Sequence, residues 1–174
     1  LTFPELAPGP LKGVPCVRVA SSFYQSGPAR KKLAQLIEQL GVGLKEFKSK
    51  NSVLLILPPK SIMKGLYGTL EALRERVLRI AGQYDNIYVK YHPREIDDPL
   101  GLAGSVQLLP AAIPVEVYLS VIEFSQVIGD VSTALLAAKW LAPECEVNYI
   151  ETNSQYTENI KALFEKLCIT PLEN

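Results

Sequence analysis

The chain has 174 residues, a length that fits one domain and an appendage. Its 18 basic and 18 acidic residues give a formal net charge of zero, which argues against a general nucleic-acid-binding protein because such proteins carry a basic surplus. The hydrophobic fraction of 48% supplies a core and excludes disorder as the main state, and the longest apolar run, residues 53–59, is too short to span a bilayer.

The first 50 residues are predicted to be an appendage. Prolines and glycines crowd the first fifteen residues, which predicts an extended arm, and a short strand is predicted at Cys16–Ala20. Apolar residues at helical spacing then predict a helix over Ala29–Leu40, so that a Pro-rich arm, a short strand and a linker helix fill residues 1–50. Lysines cluster at 45, 48 and 50; they are interpreted as a solvated face, or alternatively as a face lying near anionic membrane lipid.

From residue 51 the pattern alternates between strands and helices. The predicted strands are Val53–Leu57, Ile87–Tyr91, Val106–Leu109, Gln126–Gly129 and Val147–Ile150. The predicted helices are Leu66–Ala81, Val115–Phe124, Ser132–Leu141 and Tyr156–Leu167. This alternation predicts an α/β fold over residues 51–174, a Rossmann-like parallel sheet with helices on both faces.

Ligands of an open α/β sheet bind beyond the carboxyl ends of its strands, so the residues that follow each strand are the candidates. His92, Pro93 and Arg94 follow the second predicted strand, and Lys60 and Ser61 follow the first, where a surface loop is expected. The run Gly129-Asp130-Val131-Ser132-Thr133 ends the fourth strand and opens a helix, and Glu116 begins another helix.

Several classes of site are not expected. The chain contains neither GxGxxG nor GxxxxGK[ST], which argues against a nicotinamide dehydrogenase and a P-loop ATPase. A single histidine and three dispersed cysteines lack the spacing of metal ligands. The odd number of cysteines indicates reduced thiols in a cytoplasmic protein.

Each candidate has two interpretations. Ser132 and Thr133 either cap a helix or bind an anion at its positive end, since free N–H groups favour both. His92 is either a structural residue or an imidazole that binds a phosphate or protonates a departing phosphate oxygen. Glu116 either stabilises its helix by interacting with the positive end of the helix dipole, or accepts hydrogen bonds from the two hydroxyls of a ribose.

Three segments carry a resemblance to a known family: YVKYHPRE at 88–95, Leu109-Pro110 with Pro114-x-Glu116, and GDVSTAL at 129–135. Together they resemble the bacterial GT-B-fold sialyltransferases, a group that includes lipooligosaccharide sialyltransferases and capsular polysialyltransferases. Those enzymes carry an HP motif and a downstream Ser-Ser/Thr motif in a C-terminal domain that binds CMP-sialic acid.

The resemblance implies a role for each matching residue. His92 would contact the donor phosphate and act as the acid that assists CMP departure, while Pro93 would shape the cytosine pocket. Glu116 would hold the ribose, and Ser132 and Thr133 the phosphate. Arg94, next to His92, is expected to meet a carboxylate of the sugar, and Gly129, which opens the second motif, is counted among the donor-binding residues.

One departure from the family pattern affects the prediction. The family's general base lies in a D/E-D/E-G motif of an N-terminal acceptor domain, whereas the Asp97-Asp98 pair of this chain is followed by Pro99 and comes after the HP motif. The chain is therefore expected to be the C-terminal half of a two-domain GT-B enzyme, with residues 1–50 as the tail of the acceptor domain. Alone it is expected to bind the donor and to transfer poorly or not at all.

The leading functional hypothesis is an inverting, metal-independent sialyl transfer from CMP-sialic acid to a surface glycan, without a further cofactor. The expected partners are the CMP-sugar donor and a glycan acceptor reached through the missing domain, without nucleic acid. The expected location is the cytoplasm, with the inner face of the cell membrane as an open alternative. Two other hypotheses remain: a CDP-glycerol-type glycerophosphotransferase and a non-catalytic nucleotide-sugar-binding module.

Overall fold

The computed structural model describes residues 21–43, 51–152 and 155–173, with the backbone alone for 155–159. The predicted arm, the predicted strand at 16–20 and the lysines at 45, 48 and 50 lie outside the described residues. The predicted helix over 29–40 is confirmed as part of a longer one, which begins at Gly27 with a proline in its first turn. None of the described helices is long and apolar enough to cross a membrane.

The strands of the described part form one parallel sheet. They are β1 (Ser52–Ile56), β2 (Asn86–Lys90), β3 (Gln107–Leu109), β4 (Gln126–Gly129), β5 (Glu146–Tyr149) and β6 (Thr170–Pro171). Their order across the sheet is β3-β2-β1-β4-β5-β6, and every pairing is parallel. The predicted parallel Rossmann-like sheet is therefore confirmed, with β6 as an additional short edge strand that the sequence pattern did not predict.

Helices cover both faces of this sheet. They are α1 (Ser21–Gln25), α2 (Gly27–Gln39), α3 (Lys60–Tyr67), α4 (Leu70–Ala81), α5 (Val115–Val121), α6 (Thr133–Leu141) and α7 (Gln155–Lys166). Alternate side chains of β1 point to opposite faces: Val53 and Leu55 join the core that contains α4, whereas Leu54 joins the core that contains α5 and α6. Burial of β1 on both faces explains its continuous apolar run, as the sequence predicts.

The prediction of one helix over Leu66–Ala81 is wrong, because the chain breaks there into α3 and α4. Gly68 has a φ of 82°, a left-handed conformation that a helix cannot contain. Thr69 then caps α4, since its side-chain oxygen accepts a hydrogen bond from Ala72 N at 3.0 Å. The expected surface loop at Lys60 and Ser61 is also wrong, since both residues lie in the first turn of α3.

Candidate active site

The strand order reverses at β1, which lies between β2 on one side and β4 on the other. In doubly wound sheets this reversal opens a crevice at the carboxyl ends of the strands. A cavity of about 410 Å³ occupies that place, between the segments that follow β1, β2 and β4 and the start of α5. We call it the carboxyl-edge cavity. Its ionisable and hydroxyl-bearing lining residues are Lys90, Tyr91, His92, Glu116, Asp130, Ser132 and Thr133.

The sequence-predicted residues divide into two groups. Five of them line the cavity, although they are spread over 42 positions of the chain: His92, Pro93, Glu116, Ser132 and Thr133. Arg94 and Gly129 are not among the lining residues. The fold thus brings together the HP motif, the glutamate and the Ser-Thr motif at one place.

Gly129 has a packing role at the end of β4. A Cβ atom on this residue would lie 3.2 Å from the carbonyl oxygen of Ile56 and 3.2 Å from Cδ2 of Leu135. The missing side chain therefore lets β4 lie close to β1 and lets α6 pack over the strand end. Gly129 therefore affects the cavity indirectly, by allowing β1, β4 and α6 to pack closely at the strand end.

His92 follows β2 directly and is held by its own turn. Its Nδ1 accepts a hydrogen bond from the backbone N–H of Arg94 at 3.2 Å, so the neutral ring carries its proton on Nε2. Burial lowers the pKa of His92 below its ordinary value, with the charge of Arg94 acting in the same direction and Glu95 opposing it. At neutral pH the free protein therefore presents a neutral imidazole with an N–H to donate.

Ser132 stands immediately before α6, in the N-cap position, yet it does not cap the helix with its side chain. Its Oγ is buried and has no hydrogen-bond partner of normal geometry. Such an unmet hydroxyl costs about 1–3 kcal/mol, so a polar ligand that supplies the partner gains from it. The capping interpretation of Ser132 is wrong, and the anion-binding interpretation remains a prediction.

Asp130 is a buried carboxyl between Gly129 and the helix start, with 5% of its surface exposed. Burial raises its pKa to about 6, while its own backbone N–H and the nearby Ser132 hydroxyl oppose the rise. The Tyr67 hydroxyl, also buried and without a partner, has a raised pKa because of burial and then the charge of Asp130. Asp130 therefore takes up a proton near the lower end of the physiological range.

Lys90 is the buried cation of this cavity and was not singled out by the sequence analysis. Its Nζ donates hydrogen bonds to the carbonyl oxygens of Tyr91 at 2.7 Å and Ala111 at 2.8 Å. Burial lowers the pKa of Lys90 to about 8, against the opposing charge of Glu116. A lysine inside an otherwise apolar strand, Ile87-Tyr88-Val89-Lys90-Tyr91, is the signal that could have identified it, because lysines are almost never fully buried without a partner.

A hydrogen bond just outside the cavity joins the segment after β2 to the start of α3. The carboxylate of Glu95 accepts a bond from the backbone N–H of Lys60 at 2.9 Å, which ties the loop after β2 to the first residue of α3. Glu116 lies in the first turn of α5 and lines the cavity. Within residues 21–43, 51–152 and 155–173, no three or more His, Cys, Asp or Glu side chains are grouped so that they could hold a metal ion.

The arrangement can bind an anion and place a proton donor next to it. The start of α6 supplies free backbone N–H groups and two hydroxyls, and His92 supplies an imidazole N–H in the same cavity. Glu116 adds a carboxylate that can accept paired hydroxyls from a sugar. This combination fits a ligand with a phosphate and a sugar ring.

Comparison with known proteins agrees with this chemistry. Residues 69–150 match the family model of alpha-2,8-polysialyltransferases (POLYST). The matched region runs from the cap of α4 to the end of β5, so it includes every predicted site residue while covering less than half of the chain. No curated protein matches the chain. The family match supports a sialyltransferase, and hence a glycosyltransferase.

Proposed function

We propose that this chain forms the donor-nucleotide-binding part of a sialyltransferase that moves sialic acid from CMP-sialic acid to a surface glycan. The observation that carries the proposal is the buried hydroxyl of Ser132 at the start of α6, which makes no hydrogen bond of normal geometry although Asp130 lies nearby, in the same cavity as His92 and Glu116. The match to polysialyltransferases over residues 69–150 supports the choice of donor.

In this proposal the donor phosphate binds at the N-terminus of α6. The hydroxyls of Ser132 and Thr133 and the free N–H groups of the first turn donate to its oxygens, and Glu116 accepts the ribose hydroxyls. Pro93 borders the cytosine. Arg94 does not line the cavity, but it is next but one to His92 and its backbone N–H binds the His92 ring. Its guanidinium is proposed to meet the carboxylate of the sugar.

His92 changes its protonation state when the donor arrives. In the free protein its imidazole is neutral at neutral pH, because burial and Arg94 lower its pKa. An adjacent phosphate favours the charged form and raises that pKa again. The added proton sits on Nδ1, which then gives up the hydrogen bond from the Arg94 N–H, and Nε2 donates its proton to the phosphate oxygen as the bond from that oxygen to the anomeric carbon breaks.

The transfer itself is proposed to invert the anomeric carbon without a metal ion. An acceptor hydroxyl attacks the anomeric carbon from the side opposite to CMP, and its proton passes to a base in a separate acceptor domain. The negative charge that develops on CMP is met by His92, the two hydroxyls and the helix terminus. The chain is accordingly proposed to be the C-terminal half of a GT-B enzyme of lipooligosaccharide or capsule synthesis, located in the cytoplasm with the inner face of the cell membrane as the alternative, and to transfer poorly or not at all alone.

A calorimetric titration with CMP tests the proposal. The wild-type chain is expected to bind CMP, and His92→Ala is expected to weaken binding roughly 10-fold or more, because a hydrogen bond to a charged group contributes about 1.5–3 kcal/mol. Gln83→Ala, on the exposed turn after α4, serves as a control with unchanged affinity. A wild-type chain that does not bind CMP, or a His92→Ala variant that binds it as well as the wild type, would contradict the proposal.

A second titration separates the donors. CMP-sialic acid is expected to bind more tightly than CDP-glycerol, and the reverse order would favour a glycerophosphotransferase. Binding of the donor without transfer, in a protein that also contains an acceptor domain, would favour a non-catalytic module.

A further inference from the structure

Lys90 lies in the carboxyl-edge cavity with 1% of its surface exposed, at the last position of β2. It is the lysine among the lining residues, and no arginine is among them. A buried ammonium is expensive unless its N–H groups are bonded, so its position needs an explanation beyond the stability of the sheet.

The hydrogen bonds of Lys90 connect two walls of the cavity. One N–H binds the carbonyl of Tyr91, at the start of the loop that carries His92, at 2.7 Å. Another binds the carbonyl of Ala111, 21 residues further along the chain, at 2.8 Å. Ala111 lies in the connection from β3 to α5, and that connection leads through Pro114 directly to Glu116.

The electrostatics point to the same two residues. The charge of Glu116 raises the pKa of Lys90 against the effect of burial, and the charge of Lys90 lowers the pKa of His92. The ammonium therefore acts on both functional side chains that border it, while two of its three N–H donors are already engaged by carbonyls.

We propose that Lys90 is a positioning residue, whose ammonium fixes the β3–α5 connection on the end of β2 and so holds Glu116 in place for the sugar of the bound nucleoside. This inference rests on the proposed function, because it assigns the ribose of that donor to Glu116. Lys90 then affects recognition of the nucleoside, while the phosphate is bound by the start of α6. The two parts of the ligand can be tested separately.

Cytidine and CMP differ by the phosphate alone, so their affinities distinguish positioning of Glu116 from contact with the phosphate. Lys90→Met keeps the length of the side chain and removes its donors; it is expected to weaken cytidine roughly 5- to 10-fold and CMP by no more than that, because losing the charge of Lys90 also lets the pKa of His92 rise, which favours the phosphate. Lys139→Met is the matched control, because Lys139 also donates to a carbonyl, that of Pro143 at 3.0 Å, away from the cavity. It is expected to leave both affinities unchanged.

A double-mutant cycle tests whether Lys90 acts through Glu116. If it does, Lys90→Met and Glu116→Gln together weaken cytidine binding little more than Glu116→Gln alone. Additive effects would overturn the inference, as would a loss of CMP binding with cytidine binding intact. A wild-type chain that binds neither ligand would instead overturn the proposed function, and the inference with it.

The wild-type chain allows a test that does not depend on the folding of any variant. The pKa of Lys90 is about 8, and above it the neutral amine keeps the two N–H groups that bind the Tyr91 and Ala111 carbonyls, so cytidine affinity is expected to change by no more than about 2-fold as the pH rises through that value. Glu116 and His92 interact electrostatically with Lys90, and Tyr91 and Asp130 line the same cavity. In this range the imidazole is already neutral, Asp130 with its pKa of about 6 is already ionised, and Tyr91 stays protonated because burial raises its pKa. Tyr118, which donates to Pro110 in the same connection, stays protonated because burial raises its pKa. A loss of affinity of about 5-fold or more over that range would show that the charge of Lys90, and not its two hydrogen bonds, matters for the nucleoside, and would overturn the inference.

Discussion

The described part of the molecule has a cavity at each end of its parallel sheet, and the two are similar in size. The carboxyl-edge cavity has a volume of about 410 Å³, and a second one of about 470 Å³ lies before the start of β4 and β5, beside α1 and α2. We call the second one the amino-edge cavity. Volume therefore does not distinguish them.

The two cavities differ in the hydrogen bonds and charges of the residues that line them. In the amino-edge cavity the polar groups are bonded to one another: Arg30 pairs with Glu123 at 3.1 Å, Ser125 Oγ donates to Ser52 O at 3.0 Å, and Gln25 donates to Leu141 O. Burial raises the pKa of the Cys145 thiol to about 11, which keeps it protonated and unreactive. In the carboxyl-edge cavity, by contrast, the buried Ser132 hydroxyl makes no hydrogen bond of normal geometry, and four ionisable groups have shifted pKa values: Lys90, Tyr91, His92 and Asp130.

The comparison shows which property separates the proposed binding site from a cavity of similar size. The two cavities lie at opposite edges of the same sheet. The carboxyl-edge cavity differs in having a buried hydroxyl without a hydrogen bond of normal geometry next to a buried lysine and a buried aspartate. A ligand can supply the missing hydrogen bond. The predictions below test this distinction.

The largest effect is expected from one serine in each cavity. Ser132→Ala is expected to weaken CMP binding roughly 10- to 100-fold, because it removes a hydrogen bond to a charged group worth about 1.5–3 kcal/mol. Ser125→Ala is expected to leave CMP affinity unchanged and to lower the free energy of unfolding by about 1 kcal/mol, since its hydroxyl is bonded within the protein. Calorimetry and urea denaturation measure the two quantities, and the opposite assignment of effects would remove the distinction between the cavities.

The next effect concerns Asp130. Its pKa is raised in the folded protein, so the stability that its proton contributes is present at acid pH and is lost as the pH rises through about 6. Asp130→Asn keeps the shape and avoids the buried charge, so the variant is expected to be more stable than the wild type by about 2 kcal/mol above that pH. The difference should shrink towards about pH 4. Urea denaturation at both pH values measures it, and an equal difference at both would contradict the buried-charge account.

A smaller effect is expected at Gly129, whose contribution is spacing. Gly129→Ala places a Cβ against the Ile56 carbonyl and the Leu135 side chain and is expected to lower the free energy of unfolding by about 1–2 kcal/mol. Gly65→Ala on α3 is the control with the opposite sign, because nothing lies within 4 Å of the added methyl group and alanine favours a helix. If both variants lost stability equally, close packing at the end of β4 would not be the cause.

The smallest effect is expected at the amino edge. The side chains of Arg30 and Glu123 are 38% and 74% exposed, and ion pairs on such a surface contribute little. Arg30→Ala is expected to change the free energy of unfolding by about 0.5 kcal/mol and CMP affinity not at all. A measurable loss of CMP binding would show that the amino-edge cavity takes part in recognition.

Much of the fold follows from the sequence because its signals are local. The apolar run at 53–57 predicts a strand buried on both faces, and the strand and helix alternation predicts the parallel sheet. The break at Gly68 was missed because Leu66 and Leu70 keep the helical spacing across it. A hydrophobic pattern does not register a change in backbone conformation that one glycine and one capping threonine produce.

The site was predicted in part, for a related reason. A rule about strand ends identified His92, Glu116 and Ser132, and the fold places all three in one cavity. Lys90 was missed because its importance lies in a hydrogen bond to Ala111, 21 residues away, which no local pattern shows. Arg94 and Gly129 were assigned by proximity along the chain, which does not determine what lines a cavity.

The bond from the Lys60 amide to the Glu95 carboxylate has a consequence for how the cavity could be observed. It is exposed and joins the segments that follow β1 and β2, so a local separation of these two segments would have to break it. The exchange of the Lys60 amide hydrogen with solvent therefore reports the free energy of local opening at the carboxyl edge, which we expect to be well below that of global unfolding. Its rate in the presence and absence of nucleotide would give the closing equilibrium directly, at one peptide group.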